Sequence, residues 1–399
     1  MSTIQVLQLD TANEIQQQLQ AIGTGPYGIQ NMTDKGLFKV IKLTGVPTPL
    51  AQILKMEMLA KGGEAAISSA GLHSAEAQTD VILMGTRAVL KSLSACLKRF
   101  PMTPLKEIGQ QIKVVLNNWE QPVFSIPLPD GQSLALGANT LVMGIVNITP
   151  DSFSDGGQFL ETEAAVARAL ACQNEGADII DLGAASSRPG KEIDSPEEEW
   201  ARLEPVLQAL RHEKLIISVD TFRAEIAEKA LQLGAHIIND IGRLEMDHDL
   251  AAVAGKYQAP VILMHNHMQL QPIQPYTDIM TNILEELSLS IDKVLAAGLS
   301  RQHIIVDPGV GFGKNPAQNR LIIKRLAELK TLGLPILLGT SRKRFINDTI
   351  LSAPQERMEA SVATAVIGAM HGADIVRVHD VAATKKAIMM ADAIRKENG

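Results

Sequence analysis

The sequence contains only two cysteines, Cys96 and Cys172, in 399 residues. They lie far apart and match none of the paired spacings that hold a metal ion. We therefore interpret both as buried free thiols, as expected in a reducing compartment.

Long apolar runs and long basic runs are also missing. No uninterrupted apolar run reaches the roughly 18 residues that a membrane-spanning helix needs. The N-terminus "MSTIQVLQLDTANEIQ" lacks the basic and apolar regions of a signal peptide. A formal charge of -7 without basic runs argues against nucleic acid or an anionic membrane as the main partner. These absences predict a cytoplasmic protein, and 46% hydrophobic with 20% charged residues is typical of a globular chain of about two domains.

From about residue 141 onward, short β-branched runs alternate with amphipathic helical stretches. The runs are "LVMGIV" (141–146), "DIIDL" (178–182), "LIISV" (215–219), "HII" (236–238), "PVILM" (260–264), "HIIV" (303–306), "PILLG" (335–339) and "DIVRV" (374–378). Several helical stretches begin at Ser, Thr or Asp and end at Gly, as helix capping predicts. Eight strand–helix units in succession predict an α/β protein with a closed parallel (β/α)8 TIM barrel over residues 141–399. An open doubly wound sheet is the alternative, but it seldom contains eight such units in a row.

The first 125 residues follow a different pattern. Three strand-like runs ("GLFKVIKLTGV", "EAAISS" and "TDVILMG") and three helical stretches predict a small α/β domain over residues 1–125. It carries no chemical constellation, so we interpret it as a structural or interaction module. Residues 126–140 are predicted to link the two domains, with "PDGQ" turning a hairpin that covers the bottom of the barrel.

In such a barrel, the loops that follow the strands form the face that carries the chemistry. The residues at or just past the strand ends are mostly polar: Asn147, Asp181, Asp220, Asn239 with Asp240, Met264 with His265, Asp307, Ser341 to Lys343, and Arg377 with His379. Capping of the next helix would explain Asp220 or Asp380 equally well. Capping does not explain the bases after the last two strands, since cations are unfavourable near a helix N-terminus. Acids and amides facing bases predict a ligand in two parts, a heterocycle with amino and ring N–H groups and an anion.

The loop after the first strand adds oxygen ligands to this face. The stretch "MGIVNITPDSFSDGGQF" carries Asn147, Asp151 and Asp155, and closure of the barrel would bring them next to Arg377 and His379. Mg²⁺ prefers hard oxygen ligands and shares them with substrate phosphates. The sequence therefore predicts a Mg²⁺-bound phosphate or pyrophosphate at this point.

The glycine-rich stretch "VDPGVGFGK" (306–314) fits neither common nucleotide-binding pattern. Pro308 stands where GxxxxGK needs its first Gly, and no Ser or Thr follows Lys314. We interpret the stretch as a tight turn that presents Phe312.

With these motifs assembled, the chain resembles the dihydropteroate synthases, the folate-pathway enzymes that sulfonamides inhibit. The resemblance spans roughly residues 135–397 and carries "MGIVNITPDSFSDGG", "SSRPG", "SVDT", "GAHIINDI", "LMHN", "DPGVGFGK", "GTSRK" and "RVHD" in order. The first motif together with "SRK" and "RVHD" is highly specific. The N-terminal domain is similar to an extension of some bacterial members, and the resemblance gives it no role.

The resemblance implies a reaction and a set of partners. It implies condensation of 6-hydroxymethyl-7,8-dihydropterin pyrophosphate with p-aminobenzoate, in which pyrophosphate departs first and the amine captures a pterin methylene cation. It also implies Mg²⁺ and a homodimer. The implied roles are pterin binding for Asp220, Asn239, Met264, Asp307 and Lys343, pyrophosphate binding for Asn147, Arg377 and His379, metal binding for Asn147, p-aminobenzoate binding for Ser187, Pro189 and Phe312, and catalysis for Asp155, Arg188 and Lys343.

The second loop departs from the family pattern, which leaves two other functions open. The family has Gly-Glu-Ser-Thr-Arg-Pro-Gly where residues 184–190 read Ala-Ala-Ser-Ser-Arg-Pro-Gly, so Ala185 replaces a glutamate expected to anchor the loop. This change favours a non-catalytic pterin-binding paralogue as the first alternative. The second is a methyltetrahydrofolate:corrinoid methyltransferase, which shares the barrel and its pterin acids. It needs no pyrophosphate site, so Lys343, Arg377 and His379 argue against it.

Overall fold

The computed structural model describes residues 3–72, 77–121, 123–148, 158–185, 194–267, 278–351, 353 and 356–397. The chain forms two compact units, one over the residues up to Glu120 and one over Gln121–Glu397. In the described ranges, no helix is both long enough and apolar enough to cross a membrane.

The N-terminal unit is a three-stranded antiparallel sheet, in the order β1-β3-β2, with helices packed on it. Its elements are α1 Ala12–Ala21, α2 Pro26–Gly36, β1 Phe38–Pro47, α3 Thr48–Ala60, β2 Glu64–Ile67, α4 Ser69–Leu72, β3 Gln78–Thr86, α5 Arg87–Leu97 and α6 Thr103–Trp119. The α/β class predicted for this region is confirmed. Helices α1 and α2 were not predicted, although α1 has a sequence signal: Thr11 and Glu14 form a capping box at its start.

The C-terminal unit is a parallel eight-stranded barrel preceded by a hairpin. Its strands are β4 Phe124–Pro127 and β5 Ser133–Leu136 in the hairpin, then β6 Leu141–Asn147, β7 Ile179–Gly183, β8 Ile217–Asp220, β9 Ile237–Asp240, β10 Val261–Met264, β11 Ile304–Asp307, β12 Leu337–Gly339 and β13 Ile375–Val378. Its helices are α7 Gln158–Asn174, α8 Pro196–Leu210, α9 Ala224–Gln232, α10 Leu250–Tyr257, α11 Ile279–Ala296, α12 Pro316–Lys324, α13 Arg344–Ile350, α14 Met358–Met370 and α15 Val381–Lys396. A parallel bridge between Val306 and Ile336 closes the sheet between β11 and the start of β12. The predicted (β/α)8 barrel is confirmed, and the open sheet is excluded.

The barrel strands are short and buried on both faces. Their outward side chains pack under the helices in one continuous apolar core, which explains the β-branched runs in the sequence. Capping signals start several of the surrounding helices. Ser195 with Glu198 forms a capping box at α8, and Asn315 with Gln318 forms another at α12.

The β4–β5 hairpin lies against the amino-terminal end of the barrel. Its turn includes Gly131 at φ 85, a left-handed conformation that favours glycine. The inward side chains of the hairpin share one core cluster with the barrel interior: Ile126, Leu128, Leu134 and Leu136. The hairpin therefore covers the bottom of the barrel with apolar surface.

Candidate active site

The inward-facing side chains of the barrel change from apolar to polar along the strands. Seven large apolar side chains meet the hairpin at the bottom: Met143, Ile179, Ile237, Ile262, Ile305, Leu337 and Ile375. Successive side chains in a strand alternate between its two faces, so residues two and four positions further on point inward as well. These positions hold Asn147, Asp181, Asn239, Met264, Asp307, Arg377 and His379. The strand ends therefore surround a polar space above an apolar floor.

The guanidinium group of Arg377 lies between the buried carboxylate of Asp181 and the partly buried carboxylate of Asp220. Its Nε donates to Asp181 Oδ2 at 2.6 Å, and its NH2 group donates to Asp220 Oδ2 at 2.8 Å. Burial would lower the pKa of Arg377, but the two carboxylates outweigh burial and raise it. Burial raises the pKa of Asp220 to about 7, and Arg377 limits that rise. Arg377 is therefore a fixed cation that favours the ionised form of Asp220.

Two further groups complete the acid and amide side. The Asn239 amide donates to Asp181 Oδ2 at 3.1 Å. Asp307 accepts from the Gly309 amide at 2.7 Å, and burial raises its pKa while nearby Lys343 opposes the rise. Asp220 does not cap the next helix, since the N-cap of α9 is Arg223 and no side chain caps that helix.

Asp240 has a structural role in the turn that follows β9. Its carboxylate accepts from the amides of Gly242 at 2.7 Å and Leu244 at 2.6 Å. Asp240 points away from the barrel interior and holds the turn after β9.

Lys343 faces both an acid and an aromatic ring. Its Nζ lies 4.7 Å from the centre of the Phe312 ring and donates to the Val310 carbonyl. Burial lowers the pKa of Lys343 to about 8, and Asp307 opposes that effect. Met264, which is buried, pairs with Asp307 across the two strands. Asp307, Lys343, Phe312 and Met264 thus come together on one side of the barrel mouth.

The stretch 306–314 is a tight turn around a partly buried lysine. Lys314 Nζ donates to the carbonyls of Gly309 at 2.8 Å, Phe312 at 2.9 Å and His265 at 3.1 Å. Burial lowers the pKa of Lys314 to about 7. The lysine of this glycine-rich stretch therefore holds the turn that presents Phe312.

The anion side opens into a cavity of about 560 Å³. Asn147 and His379 line it, together with the ion pairs Arg168–Glu175 and Arg342–Asp380 and the first turn of α15. The backbone amide of His379 donates to Ser341 Oγ at 3.2 Å, and its Nδ1 lies 3.0 Å from the same oxygen. Burial and then Arg342 lower the pKa of His379 to about 4. His379 is therefore neutral at pH 7 and offers a ring N–H rather than a charge.

Asn147 is placed beside the pterin-side acids by a glycine. A Cβ on Gly183 would lie 3.8 Å from both Asn147 Oδ1 and Asp220 Oδ2. The Asn147 amide oxygen and the Asp220 carboxylate therefore both approach Gly183. Asp220 Oδ2 is already paired with Arg377, so the Asn147 amide oxygen is the hard oxygen donor that fits Mg²⁺ here.

A second group of polar residues lies beside the site, and the sequence indicates only His265 among its members. Glu286 on α11 accepts from His267 Nε2 at 2.7 Å, lies 3.3 Å from His265 Nε2, and pairs with Arg243. Burial would raise the pKa of Glu286, but His265 and Arg243 lower it to about 2. Two histidines and a carboxylate at this spacing can hold a metal ion in principle. The guanidinium on the same carboxylate and the neighbouring Lys314 oppose a further cation, so we interpret this group as a hydrogen-bonded anchor for the segment after β10.

Some predicted site residues lie outside the described residues. They are Asp155 in the first loop and Ser187, Arg188 and Pro189 in the second. The second loop is described up to Ala185. There Arg202 donates to the Ala184 carbonyl at 3.0 Å and to Asp194 at 3.0 Å, which anchors the base of the loop without the family's glutamate.

Known proteins resemble this chain in sequence and in fold. The family model of the pterin binding enzymes matches residues 143–379. A dihydropteroate synthase of Clostridium beijerinckii is 45% identical over 261 residues, which are 65% of this chain and 96% of that protein. A probable bifunctional folylpolyglutamate synthase/dihydropteroate synthase of Halobacterium salinarum is 36% identical over 390 residues, 97% of this chain and 46% of that protein. A crystal structure of dihydropteroate synthase from Clostridium difficile, determined in the presence of pteroic acid, matches with 45% identity and a TM-score of 0.63, covering 66% of this chain and 99% of that one.

Proposed function

The chain belongs to the dihydropteroate synthases within the pterin-binding enzymes, and from this we propose that it joins a pterin pyrophosphate to p-aminobenzoate and releases pyrophosphate. The observation that carries the proposal is the position of Arg377. It is paired with Asp220 on the acid side, and it lies two residues before His379, which lines the anion cavity. One side accepts a heterocycle and the other an anion, as 6-hydroxymethyl-7,8-dihydropterin pyrophosphate requires.

The acid and amide side would bind the pterin. Asp220, Asn239 and Asp307 offer oxygen acceptors to the amino and ring N–H groups of the pterin. Lys343 offers a donor to a ring nitrogen or carbonyl. Met264 supports these contacts because its buried thioether packs against flat rings.

The anion side would bind and release pyrophosphate. Arg377 contributes charge and the neutral His379 contributes a ring N–H. Asn147 would hold Mg²⁺ through its amide oxygen, and the ion would supply charge neutralisation of the departing pyrophosphate. The departure of an anion that is held by fixed donors requires no nucleophilic side chain.

The remaining roles concern the amine and the methylene carbon. Phe312, held by the turn around Lys314 and stacked under Lys343, would form one wall of the p-aminobenzoate pocket. Ser187 and Pro189 would complete that pocket. Asp155 would stabilise the transient pterin methylene cation, and Arg188 would close over the reacting centre.

A direct assay separates this proposal from a non-catalytic pterin-binding paralogue, which the altered second loop favours. We expect pyrophosphate and dihydropteroate to form in equal amounts when both substrates are present. Binding of the pterin without release of pyrophosphate would identify the paralogue. In that case Ala185→Glu, which restores the family residue, tests whether the second loop is the cause.

The metal requirement gives one prediction. Excess chelator, or Asn147→Ala, should reduce the rate of pyrophosphate release by roughly 10² or more, since the leaving anion would lose its counter-charge. Asn147→Asp serves as the matched variant because it keeps an oxygen ligand and should retain Mg²⁺-dependent turnover. Full activity in chelator would contradict the role of the metal.

The pH dependence gives a second prediction. The acceptor form of Asp220 is its carboxylate, with a pKa near 7, and the donor form of Lys343 is its ammonium, with a pKa near 8. The value of kcat/KM for the pterin substrate should therefore fall below about pH 7, as Asp220 takes up a proton, and above about pH 8, as Lys343 loses one. Lys343→Arg keeps its charge throughout this range, so the alkaline limb should disappear while the acidic limb remains. An alkaline limb that persists in Lys343→Arg would assign it to another group.

The outer helices support a homodimer, which gives a third prediction. Exposed apolar side chains cluster on the adjacent helices α14 and α15: Ile367, Met370, Met389, Met390 and Ile394. Such a cluster marks an interaction surface. Met390→Glu should convert a dimer into a monomer in light scattering, whereas Leu289→Glu on α11, where the side chain is equally exposed at 63%, should not. A wild-type monomer would contradict this assignment.

A further inference from the structure

Asp181 is a fully buried carboxylate to which the proposed reaction assigns no role. It lies in the middle of β7, and its side chain points into the barrel interior one layer below the strand ends. Strand pairing sets Asp181 beside Ser218 of β8. An ionisable group at the centre of a barrel is costly to bury unless its oxygens are satisfied, so both oxygens need an explanation.

One oxygen of Asp181 joins the two halves of the site. Oδ2 accepts from Arg377 Nε at 2.6 Å and from the Asn239 amide at 3.1 Å. The first partner belongs to the anion side and the second to the pterin side. Because Asp220 holds the other end of the guanidinium, the two carboxylates fix the plane in which Arg377 lies.

The other oxygen of Asp181 has no such partner. Among the described residues, Oδ1 is buried and accepts no hydrogen bond, and the neighbouring Ser218 hydroxyl is buried without a partner as well. A buried acceptor without a donor costs free energy, which a donor on a bound ligand would recover. Asp181 and Ser218 are paired in the sheet two positions before the pair Gly183 and Asp220, and Asp220 pairs in turn with Asn239. Asp181 and Ser218 therefore lie one layer below the residues that line the space assigned to the heterocycle.

We propose that Asp181 is a ligand-anchoring and positioning residue: Oδ2 orients Arg377 and Asn239, and Oδ1, with the Ser218 hydroxyl, accepts an N–H group of the bound heterocycle. This inference rests on the proposed function, because it requires a pterin-like ligand with several N–H donors. Asp181 and Ser218 would form the bottom of the pterin pocket, one layer below the strand-end residues. Asp181 would thereby make heterocycle binding and anion binding depend on one side chain.

Asp181→Asn separates the two roles. The new carbonyl oxygen can still accept from Arg377 and Asn239, which leaves the new NH2 group where Oδ1 was. A donor would then face the N–H group of the ligand. Binding of 6-hydroxymethylpterin should weaken at least tenfold. Binding of inorganic pyrophosphate with Mg²⁺ should stay the same or strengthen, because a negative charge next to Arg377 is removed. General damage to the fold would weaken the binding of both ligands.

Two further variants keep the test decisive. Ser218→Ala removes only a hydroxyl, should fold normally, and should weaken pterin binding several-fold. Asp178→Asn is the matched control, since Asp178 is a carboxylate just before β7 that accepts from the Val142 amide at 2.8 Å, away from the strand ends. It should leave both affinities within twofold.

Calorimetry with the two probes, together with thermal melting, decides among the outcomes. Unchanged pterin affinity in both Asp181→Asn and Ser218→Ala would overturn the proposal. If Asp181→Asn loses affinity for both pterin and pyrophosphate at a normal melting temperature, Asp181 does no more than orient Arg377. That result would also overturn the proposal. A wild-type chain that does not bind the pterin would instead refute the proposed function itself.

Discussion

Arg377→Met is expected to lose pyrophosphate affinity at every pH and to lose pterin affinity mainly near neutral pH. The first effect removes a charged donor to the anion, which costs about 2 kcal/mol, or roughly 30-fold in affinity. The second effect is indirect. Arg377 is the main group that limits the rise in the pKa of Asp220. Without Arg377, Asp220 would be protonated at pH 7 and would no longer accept from the pterin, so we expect an affinity about tenfold weaker than wild type at pH 7 and within a few-fold of it at pH 9.

The same substitution should change stability in a pH-dependent way. Removing one partner of a buried ion pair leaves an uncompensated charge, which costs about 3 kcal/mol. An acid whose folded pKa lies above its unfolded pKa destabilises the fold at high pH, and that penalty disappears as the pH falls below the unfolded pKa. The melting temperature of Arg377→Met should therefore fall more at pH 8 than at pH 5.

A matched control variant and separate titrations with two ligands test the prediction for Arg377→Met. Arg320 pairs with Asp348 on the surface at 2.9 Å, with both side chains about half exposed, so Arg320→Met should change stability little. The measurements are calorimetric titrations of pyrophosphate with Mg²⁺ and of 6-hydroxymethylpterin at pH 7 and pH 9. A pterin loss of equal size at both pH values would show that Arg377 does not act through Asp220.

The barrel could be predicted because its signals are local and repeat. Each strand is an apolar run ended by a polar residue, and each helix has its own caps, so the order of elements follows from neighbouring residues alone. Asp307 and Lys343 could be placed on one face by the same logic, because parallel strands bring their carboxyl ends together.

The contacts between strand ends could not be predicted in the same way. Arg377 meets Asp181 and Asp220 across 196 and 157 residues of sequence, and only the pairing of the last barrel strand β13 with the first barrel strand β6 brings β13 near β7 and β8. The sequence shows Asp181 as a polar residue within a predicted strand. Its depth, one layer below the strand ends, follows from counting inward positions upward from Ile179, which requires the strand register.

The group around Glu286 shows a different limit. Glu286 lies in the middle of an amphipathic helix, where a charged residue is usually solvated. The histidines at 265 and 267 follow a strand, and nothing in the sequence connects them to α11. The signal that could have identified them is the alternation of the two histidines with Asn266, which puts both rings on one side of the chain.

Loss of the β4–β5 hairpin is expected to unfold the barrel, whereas loss of the N-terminal unit is not. A chain that begins at Gln121 retains the complete compact unit Gln121–Glu397. We expect it to fold and to keep most of its turnover, because no residue of the proposed site lies before Asn147. A chain that begins at Leu141 lacks four apolar side chains that are each less than 9% exposed: Ile126, Leu128, Leu134 and Leu136. At about 1.5 to 3 kcal/mol each, that loss equals most of a typical stability margin of about 5 to 15 kcal/mol.

Point variants on the two faces of the hairpin test whether its buried apolar side chains, rather than its backbone, stabilise the barrel. Leu136→Ala in the full chain should lower the free energy of unfolding by about 2 to 5 kcal/mol, because Leu136 is 1% exposed within the core at the bottom of the barrel. Ala135→Ser changes the adjacent exposed position and should have almost no effect. Denaturant unfolding of both variants and of the two shortened chains provides the comparison. If Leu136→Ala is as stable as Ala135→Ser, the hairpin does not stabilise the barrel through its apolar face. If the chain from Gln121 folds but has no turnover, the N-terminal unit takes part in catalysis and is more than a structural or interaction module.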